Sequence, residues 1–374
     1  MRWDESGKLN ITASDLALLK HNAFREKSWA KIDSWTHAEN ACPPILSAML
    51  FCLLSGPDDP SPKMFWMRYR RLLEVSNHTG AYYRQHTIST HGKSRTIYES
   101  LQPLAGYQRW ILKNVLEKVT TTKCAYAYKK GVSLVDNARV HQGHAVVVKL
   151  DISHFFDSIT YGMVFDVFAN MMKYPREGAT LLANLCCLED KLPQGACTSP
   201  YLSNLCLVRP DLEIEEYCDK NHISYSRYSD DLTFSGDQID VKALILFVRQ
   251  VLRKYGFKLN CEKIHVDGKG RQHRVTGIIC NDKINTPAVY RKQVRQEMYY
   301  LKKYGVQSHL KHMNDRNRDC LDENGESDSD AYYRSLLGRI AYVLQVNPDL
   351  EEFLEYRQYI KSCLDKAQFS GGLK

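Results

Sequence analysis

Three aspartates occupy positions where carboxylates commonly do chemistry. Asp151 follows an apolar, β-branched run at 146–150 that is typical of a strand buried on both faces. Asp230 and Asp231 lie in the turn of a predicted hairpin over 223–236. Carboxylates at strand ends can converge although their segments are distant in sequence. Three clustered carboxylates repel one another, and they stay ionised together only when cations neutralise them.

Such a cluster favours one kind of metal and one kind of reaction. Oxygen-only ligation points to Mg²⁺ or Mn²⁺ rather than Zn²⁺. Two such ions would clamp the attacking and leaving oxygens of an in-line phosphoryl displacement. An isolated Asp-Asp pair is more often a turn or a helix cap. Here the aromatic pair Phe155-Phe156, Tyr228 before the doublet and the loop Leu-Pro-Gln-Gly at 192–195 favour the catalytic interpretation.

The elements around these aspartates predict an α+β fold. The pattern predicts a sheet backed by helices, with the acids at strand ends. Hydrophobic periodicity and turn residues give the individual elements. They predict a mostly helical stretch to about residue 60 and helices at 63–75, 103–119, 161–172, 200–207, 240–255 and beyond 287; β segments flanking a turn at 91–93 and at 146–150, 223–236, 257–260 and 274–280; and an acidic loop at 314–330.

Composition excludes several classes of protein. Lys and Arg number 51 against 43 Asp and Glu, a net charge of +8, and hydrophobic residues make up 44%, close to average globular usage. The chain is therefore not a mainly disordered protein. No apolar run approaches the roughly 20 residues of a membrane span, and we expect a soluble cytoplasmic protein. The twelve cysteines are scattered without a CxxC pair, which favours buried thiols over metal or disulfide sites.

The positive charge is concentrated in two segments that also carry aromatic residues. The segment 63–95 has seven Lys or Arg and one acid, and 290–313 has six and one. Basic groups neutralise phosphates and aromatic faces stack on bases, so these segments predict a nucleic-acid partner. Two solvated helix faces are the alternative.

Three segments together resemble the central motifs of reverse transcriptases. They are KLDISHFFDSI at 149–159, LPQGACTSPYLSNL at 192–205 and YSRYSDDLTFSG at 225–236, and the resemblance extends from about residue 85 to about 346. NARVH at 137–141 and VTG at 275–277 resemble two signatures of the retron reverse transcriptases. Ser229 departs from the family pattern, which usually has Ala there.

The resemblance implies a right-hand polymerase with fingers, palm and a helical thumb. It implies a helical N-terminal extension and the start of the fingers at 1–80, and fingers at 81–145. The palm would cover 146–282, with 190–207 adjoining the fingers. The thumb would cover 283–374 and include the acidic loop.

The resemblance also implies roles for single residues at the active site. Two Mg²⁺ ions, or Mn²⁺, would be held by Asp151, Asp230, Asp231 and the backbone carbonyl of Ile152. Lys263 would protonate the leaving pyrophosphate. The residues expected to bind the incoming deoxynucleotide are Lys93, Arg95, Phe156, Gln194 and Gly195, with Phe156 as the gate against ribose. Phe156 could alternatively be a core residue.

RNA binding is expected from two other groups of residues. Asn137 and His141 belong to the first retron signature, and a hydrogen-bonded structural pair is the alternative for them. The predicted thumb contributes Arg291, Lys292, Arg295, Lys302 and Lys303.

The implied function is that of a retron RNA-directed DNA polymerase. It would bind its cognate structured non-coding RNA, of the msr-msd type, and copy part of it with dNTPs from a guanosine 2′-OH into RNA-linked single-stranded msDNA. Host ribonuclease H would remove template, and an effector protein of unknown type would act with the polymerase in antiphage defence. Another defence-type reverse transcriptase, of the abortive-infection or an unclassified kind, and a non-catalytic RNA scaffold are the alternatives.

Overall fold

A computed structural model describes residues 2–3, 9–10, 62–90, 93–312 and 329–371 of the 374-residue chain. The predicted helices before residue 60, the turn residues 91–92 and most of the acidic loop lie outside this part. Within the first ten residues, two short antiparallel strands pair, β1 (Arg2–Trp3) and β2 (Leu9–Asn10).

A four-stranded antiparallel sheet carries the three aspartates. Its strands are β5 (Val146–Asp151), β6 (Ser224–Tyr228), β7 (Asp231–Gly236) and β8 (His265–Asp267), in the order β6-β7-β5-β8. The apolar run before Asp151 forms the strand as predicted, because Val147, Val148 and Leu150 are buried between the helices and the neighbouring strands. The prediction of an α+β sheet backed by helices is confirmed.

A second hairpin lies over the loop at 192–195. It consists of β3 (Tyr83–Thr90) and β4 (Lys93–Ser100), which pair from Tyr83↔Ser100 to Thr90↔Lys93. The amide of Tyr98 donates a hydrogen bond of 2.7 Å to the carbonyl of Gln194. This bond fixes the hairpin against the loop, which precedes the helix at Ser199–Cys206.

Helices surround the sheet and continue beyond it. Those of the first part of the chain are α1 (Pro62–Asn77), α2 (Leu104–Asn114), α3 (Leu134–Arg139), α4 (Phe155–Ser158), α5 (Tyr161–Asp166), α6 (Arg176–Cys186), α7 (Ser199–Cys206), α8 (Val208–Lys220) and α9 (Val241–Lys254). Two very short strands follow, β9 (Arg274–Val275) and β10 (Ile278–Ile279), and then α10 (Ala288–Tyr304), α11 (Val306–His312), α12 (Ser329–Val346) and α13 (Glu351–Gly371).

The described part of the chain has two large hydrophobic cores. One packs α1 and α2 and the central helices against the sheet, and it includes Leu72, Ile111, Phe168, Phe234 and Leu252. The other joins the C-terminal helices, with Met298, Leu336 and Phe353 at its centre. None of the described helices is both long enough and apolar enough to cross a membrane.

Some predicted elements differ from the structure. The predicted β segment at 257–260 forms only an isolated bridge, Ile152↔Leu259, and the fourth strand of the sheet is β8. The helices α3, α6 and α8 were not predicted. In helix α6 every residue from Gly178 to Cys186 is buried.

Candidate active site

Strand register brings the three aspartates to one edge of the sheet. Asp151, the last residue of β5, is the pairing partner of Asp231, the first residue of β7. The amide of Ile152 donates a 3.1 Å hydrogen bond to the carbonyl of Asp230. The structure therefore gathers Asp151, Asp230, Asp231 and the peptide of Ile152, all four of the expected metal-binding positions.

A lysine from a third segment meets these carboxylates. The Nζ atom of Lys263 lies 2.5 Å from Oδ1 of Asp151, and Nδ2 of Asn260 donates to Oδ2 at 3.3 Å. The amide of Asn260 also donates to the carbonyl of Asp151 at 2.8 Å, which ties this segment to the end of β5. Lys263, the residue expected to protonate the pyrophosphate, thus lies at Asp151, and Asn260 contacts the same carboxylate.

The electrostatics show an excess of negative charge. Burial and the nearby Asp151 raise the pKa of Asp230 above its ordinary value. Partial burial, together with Asp230 and Asp151, raises the pKa of Asp231 to about 6, although this residue keeps access to solvent. The bond to Asp151 raises the pKa of Lys263, which therefore stays protonated at neutral pH. One ammonium group balances only part of the charge of three carboxylates.

The donor set fits a hard divalent cation. Carboxylate and peptide oxygens are the ligands that Mg²⁺ takes in proteins, and the raised pKa values of Asp230 and Asp231 show where added positive charge would relieve repulsion. Among the described residues, no three His, Cys, Asp or Glu side chains are already gathered tightly enough to hold an ion. Lys263 bonds Asp151 instead, so cation binding requires the side chains to adjust.

The turn between β6 and β7 is held by groups that the sequence patterns did not reveal. Ser229 has a left-handed backbone, with φ of +61°. Its hydroxyl lies 3.0 Å from the hydroxyl of Tyr128, and its carbonyl accepts a 3.0 Å bond from Nη1 of Arg227. Arg227 is fully buried. A charged residue in a strand usually indicates an exposed position, and no sequence signal marked this one.

The expected nucleotide-binding residues lie on three elements. Phe156 is half-buried, with its ring 5.3 Å from that of Phe155, and it packs against the main core, so it can act as both gate and core residue. Gly195 approaches the β3–β4 hairpin, since a Cβ there would lie 2.6 Å from the carbonyl oxygen of Tyr98. Arg95 is exposed on β4. Lys93 begins β4, and its side chain lies outside the described part.

Asn137 and His141 of the first retron signature are buried, which contradicts the expectation that these two side chains contact RNA directly. Asn137 is 1% exposed and His141 is 0% exposed. The ring of His141 bonds Oγ of Ser235 at 2.7 Å and Oγ of Ser226 at 2.6 Å. His141 therefore joins β6 to β7, as the structural alternative requires, although its partners are serines and not Asn137.

The two retron signatures pack on each other. Val135 and Ala138 of α3 share a small core with Val275 and Ile278 of the β9–β10 hairpin. The hydroxyl of Thr276, in the VTG segment, donates to the carbonyl of Leu134 at 3.5 Å. The two motifs form one unit behind the catalytic sheet, a relation that their separation in sequence concealed.

The expected RNA-binding residues of the thumb are not equivalent. Arg291 is half-buried and donates to Asn285 and Thr286, and Arg295 pairs with Glu352 at 2.8 Å. Three exposed lysines complete the set. The Nζ atom of Lys302 lies over the rings of Tyr356 and Tyr359, that of Lys303 lies over Tyr299 and Tyr304, and Lys292 is exposed on the same helix, α10.

Comparison with known proteins agrees with this geometry. The family model described as reverse transcriptase (RNA-dependent DNA polymerase) matches residues 103–280. Retron Ec86 reverse transcriptase of Escherichia coli is 32% identical over 225 residues, which cover 59% of this chain and 70% of that protein. Retron Mx162 reverse transcriptase of Myxococcus xanthus is 31% identical over 250 residues, which cover 59% and 50%.

A further relative and a solved structure extend the comparison. Retron Se72 reverse transcriptase of Salmonella heidelberg is 28% identical over 269 residues, covering 69% of this chain and 71% of that protein. A telomerase of Candida albicans in complex with a fragment of telomeric RNA has a TM-score of 0.44 at 9% identity, covering 94% and 76%. Identity near one third, over more than two thirds of a curated retron enzyme, accompanies the matching motifs and the aspartate geometry. The chain therefore belongs to the retron reverse transcriptases, and it is an RNA-directed DNA polymerase.

Proposed function

We propose that this polymerase copies part of its own structured non-coding RNA into msDNA, and that the aspartate edge of the sheet is where each nucleotide is joined. The observation that carries the proposal is the pairing of Asp151 with Asp231, which places Asp230 beside them. Two divalent ions bound there would activate the attacking hydroxyl and stabilise the charge on the departing pyrophosphate. Asp151, Asp230, Asp231 and the Ile152 carbonyl would hold them.

Lys263 has a separate task in this proposal. Its ammonium group, with its raised pKa, carries a proton at neutral pH and lies at Asp151. A protonated lysine at the phosphates can donate its proton to the pyrophosphate oxygen as the bond to the α-phosphorus breaks. When a cation takes its place at Asp151, the long side chain can turn toward the triphosphate.

The incoming deoxynucleotide would lie between the sheet and the fingers hairpin. Phe156 lies five residues after Asp151, on α4, where its ring would clash with a ribose 2′-OH. The loop of Gln194 and Gly195 is hydrogen-bonded to β4, the strand that also carries Arg95. A guanidinium on that strand can grip a triphosphate with two hydrogen bonds, and Lys93 would add a second cation.

RNA binding is proposed for the exposed face of α10. Lys303 and its neighbours Tyr299 and Tyr304 are all exposed, and they combine positive charge with rings that can stack on unpaired bases. Lys292 and Lys302 would neutralise phosphates along the same helix. Arg295 and Arg291 are engaged within the protein, and we expect them to shape this surface more than to contact RNA.

The wider biological role follows from the family and remains part of the proposal. Priming from a guanosine 2′-OH would link the DNA product to its RNA, and host ribonuclease H would remove the copied template. An effector protein of unknown type would act with the polymerase in antiphage defence in the cytoplasm. The positions of the β3–β4 hairpin, the four-stranded sheet and the C-terminal helices support, as part of this proposal, a division into fingers, palm and thumb.

The test removes one carboxylate charge at the turn. Asp230→Asn should abolish DNA synthesis from the co-purified RNA while RNA binding, measured by filter retention, stays near that of the parent. Asp219→Asn, an exposed change on α8, is the matched control and should retain synthesis. Product made by the Asp230→Asn protein would show that this carboxylate is not an essential ligand.

A second experiment addresses the RNA surface. Lys303→Gln and Lys292→Gln should weaken RNA binding and lower its dependence on salt, because each removed phosphate contact reduces the slope of log affinity against log salt by about one. Lys220→Gln, on the distant helix α8, is the control. An unchanged salt slope in the α10 variants would remove the thumb from the proposal.

A further inference from the structure

The catalytic turn has a backbone that its sequence does not favour. Tyr228 pairs with Asp231, so Ser229 and Asp230 alone make the turn. A two-residue hairpin turn with a positive φ at its first position normally has Gly there, whereas this turn has Ser229 at +61°. A residue other than glycine keeps this left-handed backbone conformation only where surrounding groups hold it. The direction of Asp230 from the sheet therefore depends on those groups.

Arg227 supplies a side-chain hydrogen bond to the backbone of the turn, in addition to the bond from the Ile152 amide to the Asp230 carbonyl. Its Nη1 atom donates to the Ser229 carbonyl at 3.0 Å and to Oδ1 of Asn204 at 3.0 Å. Its Nε and Nη2 atoms donate to the two carboxylate oxygens of Asp211, at 2.9 and 2.7 Å. Four hydrogen bonds in fixed directions prevent the guanidinium from rotating. A lysine ammonium could not make the same four bonds.

The anchor of this arginine is itself immobilised. Asp211, 1% exposed at the start of α8, also accepts hydrogen bonds from Thr122 at 2.7 Å and from Tyr225 at 2.9 Å. Asn204 of α7 in turn donates to the carbonyl of Ala127 at 2.8 Å. Hydrogen bonds through Arg227 thus connect the carbonyl of Ser229 to helices α7 and α8 and to the segment before α3.

The opposite face of the same hairpin is held as well. Side chains alternate along β6, so Tyr225 and Arg227 face Asp211 while Ser226 faces the other way. There His141 bonds both Ser226 of β6 and Ser235 of β7. Buried polar groups hold both faces of the strand pair, and of His141 and Arg227 only Arg227 bonds the turn itself.

Net stability does not explain the charged pair. Replacing a buried ion pair by apolar side chains of similar volume is often neutral or stabilising, so retaining both charges inside the protein needs another reason. We propose that Arg227, fixed by Asp211, is a positioning residue for polymerisation: its bond to the Ser229 carbonyl sets the direction in which Asp230 and Asp231 present their carboxylates to the metal ions. This inference rests on the proposed metal role of those aspartates.

The experiment separates positioning from folding with two variants of the full chain. Arg227→Lys keeps the charge beside Asp211 but cannot also reach the carbonyl and Asn204. The double variant Arg227→Met/Asp211→Leu removes both charges together, so no unpaired charge is left in the interior. Arg339→Lys, which makes the same exchange in the Glu297 ion pair of the thumb, is the control.

Three readouts are compared with the parent. Mn²⁺ binding to the protein without nucleotide, followed by electron paramagnetic resonance, should weaken about tenfold in both Arg227 variants, which corresponds to about 1.4 kcal/mol. The Mg²⁺ concentration for half-maximal synthesis should rise by a similar factor, and kcat should fall with little change in KM for dNTP. The control should change none of these. The thermal midpoint of each variant reports folding separately.

Each outcome has one meaning. A folded double variant with the parent's Mn²⁺ affinity and kcat would overturn the inference. Loss of activity in proportion to loss of folded protein, at unchanged Mn²⁺ affinity, would show that Arg227 acts only on stability and would overturn it too. If Asp230→Asn remains active, the metal proposal itself fails. If Asp230→Asn is inactive and the Arg227 variants behave like the parent, only the positioning role of Arg227 is refuted.

Discussion

Replacing Gly195 by alanine tests how the nucleotide side of the active site is assembled. Gly195 has φ of +119°, a backbone region that a side chain strongly disfavours. A Cβ atom there would lie 2.6 Å from the carbonyl oxygen of Tyr98 and 2.7 Å from Cγ2 of Ile97. The first neighbour belongs to the backbone of β4 and cannot rotate away, so the loop and the hairpin would have to separate.

The expected loss of stability has two parts, and a replacement at a second glycine can separate them. The unfavourable backbone costs about 1–2 kcal/mol, and forcing an extra carbon into packed surroundings costs about 1–3 kcal/mol more. Gly143 also has a positive φ, +83°, but nothing lies within 4 Å of a Cβ there. Gly143→Ala therefore carries only the first part. Gly195→Ala should lower the free energy of unfolding by about 2–5 kcal/mol and Gly143→Ala by about 1–2 kcal/mol.

The assays are urea unfolding and steady-state synthesis. Because Gln194 accepts the bond from Tyr98, separation of loop and hairpin should also raise KM for dNTP in Gly195→Ala and leave it unchanged in Gly143→Ala. Ile97→Ala in the Gly195→Ala background should recover only part of the stability, since the Tyr98 carbonyl still opposes the Cβ. Equal destabilisation by the two glycine replacements, with equal KM, would refute the close contact.

Three further predictions concern single side chains. Phe156→Val should increase incorporation of ribonucleotides relative to deoxyribonucleotides, measured by competition on one template, because the smaller side chain leaves room for a 2′-OH. Lys263→Met removes the ammonium beside Asp151, so the thermal midpoint without divalent ions should fall, and Mg²⁺ should raise it more than in the parent. Burial lowers the pKa of His141 to about 3. The unfolded chain takes up that proton below about pH 6.5 and the folded chain does not, so the stability from neutral His141 is complete above pH 6.5 and declines toward pH 3. His141→Gln should reduce the pH slope of stability by up to about 1.4 kcal/mol per pH unit in that window, and an unchanged slope would show that His141 titrates normally.

The aspartate site could be predicted because its signals are local. A β-branched run ending in Asp151 predicts a buried strand, and the Ser-Asp-Asp turn between two short β runs predicts a hairpin. The resemblance to reverse transcriptases then placed Lys263 and the loop at 192–195 near them. Each of these predictions depends on a few adjacent residues whose periodicity or turn chemistry is visible in the sequence.

The hydrogen bonds that hold the catalytic turn could not be predicted, because they join residues far apart in sequence that no hydrophobic periodicity relates. From the sequence alone, Arg227 and Asp211 would both be assigned to the surface, since charged side chains are rarely fully buried. Their pairing becomes apparent only when α8 packs on β6. The pattern at 137–141 misled in the opposite way: an exposed RNA contact was expected of His141, and the fold places it beneath the sheet between two serines.

These two surprises have a common physical reason. A polymerase must keep Asp230, in the two-residue turn, and Asp231, at the start of β7, fixed while nucleic acid moves past them, and backbone pairing alone leaves the end of a hairpin free to fray. Burying Arg227 beneath one face and His141 beneath the other removes that freedom, because breaking either set of bonds would strand polar groups away from water. The amide of His141 donates to the carbonyl of Ala138 at 3.1 Å, which ties His141 to α3, and α3 packs on the β9–β10 hairpin. The retron signatures would then act on catalysis from behind the sheet, through the rigidity of the strands that carry the aspartates, and RNA recognition would fall to the exposed residues of α10.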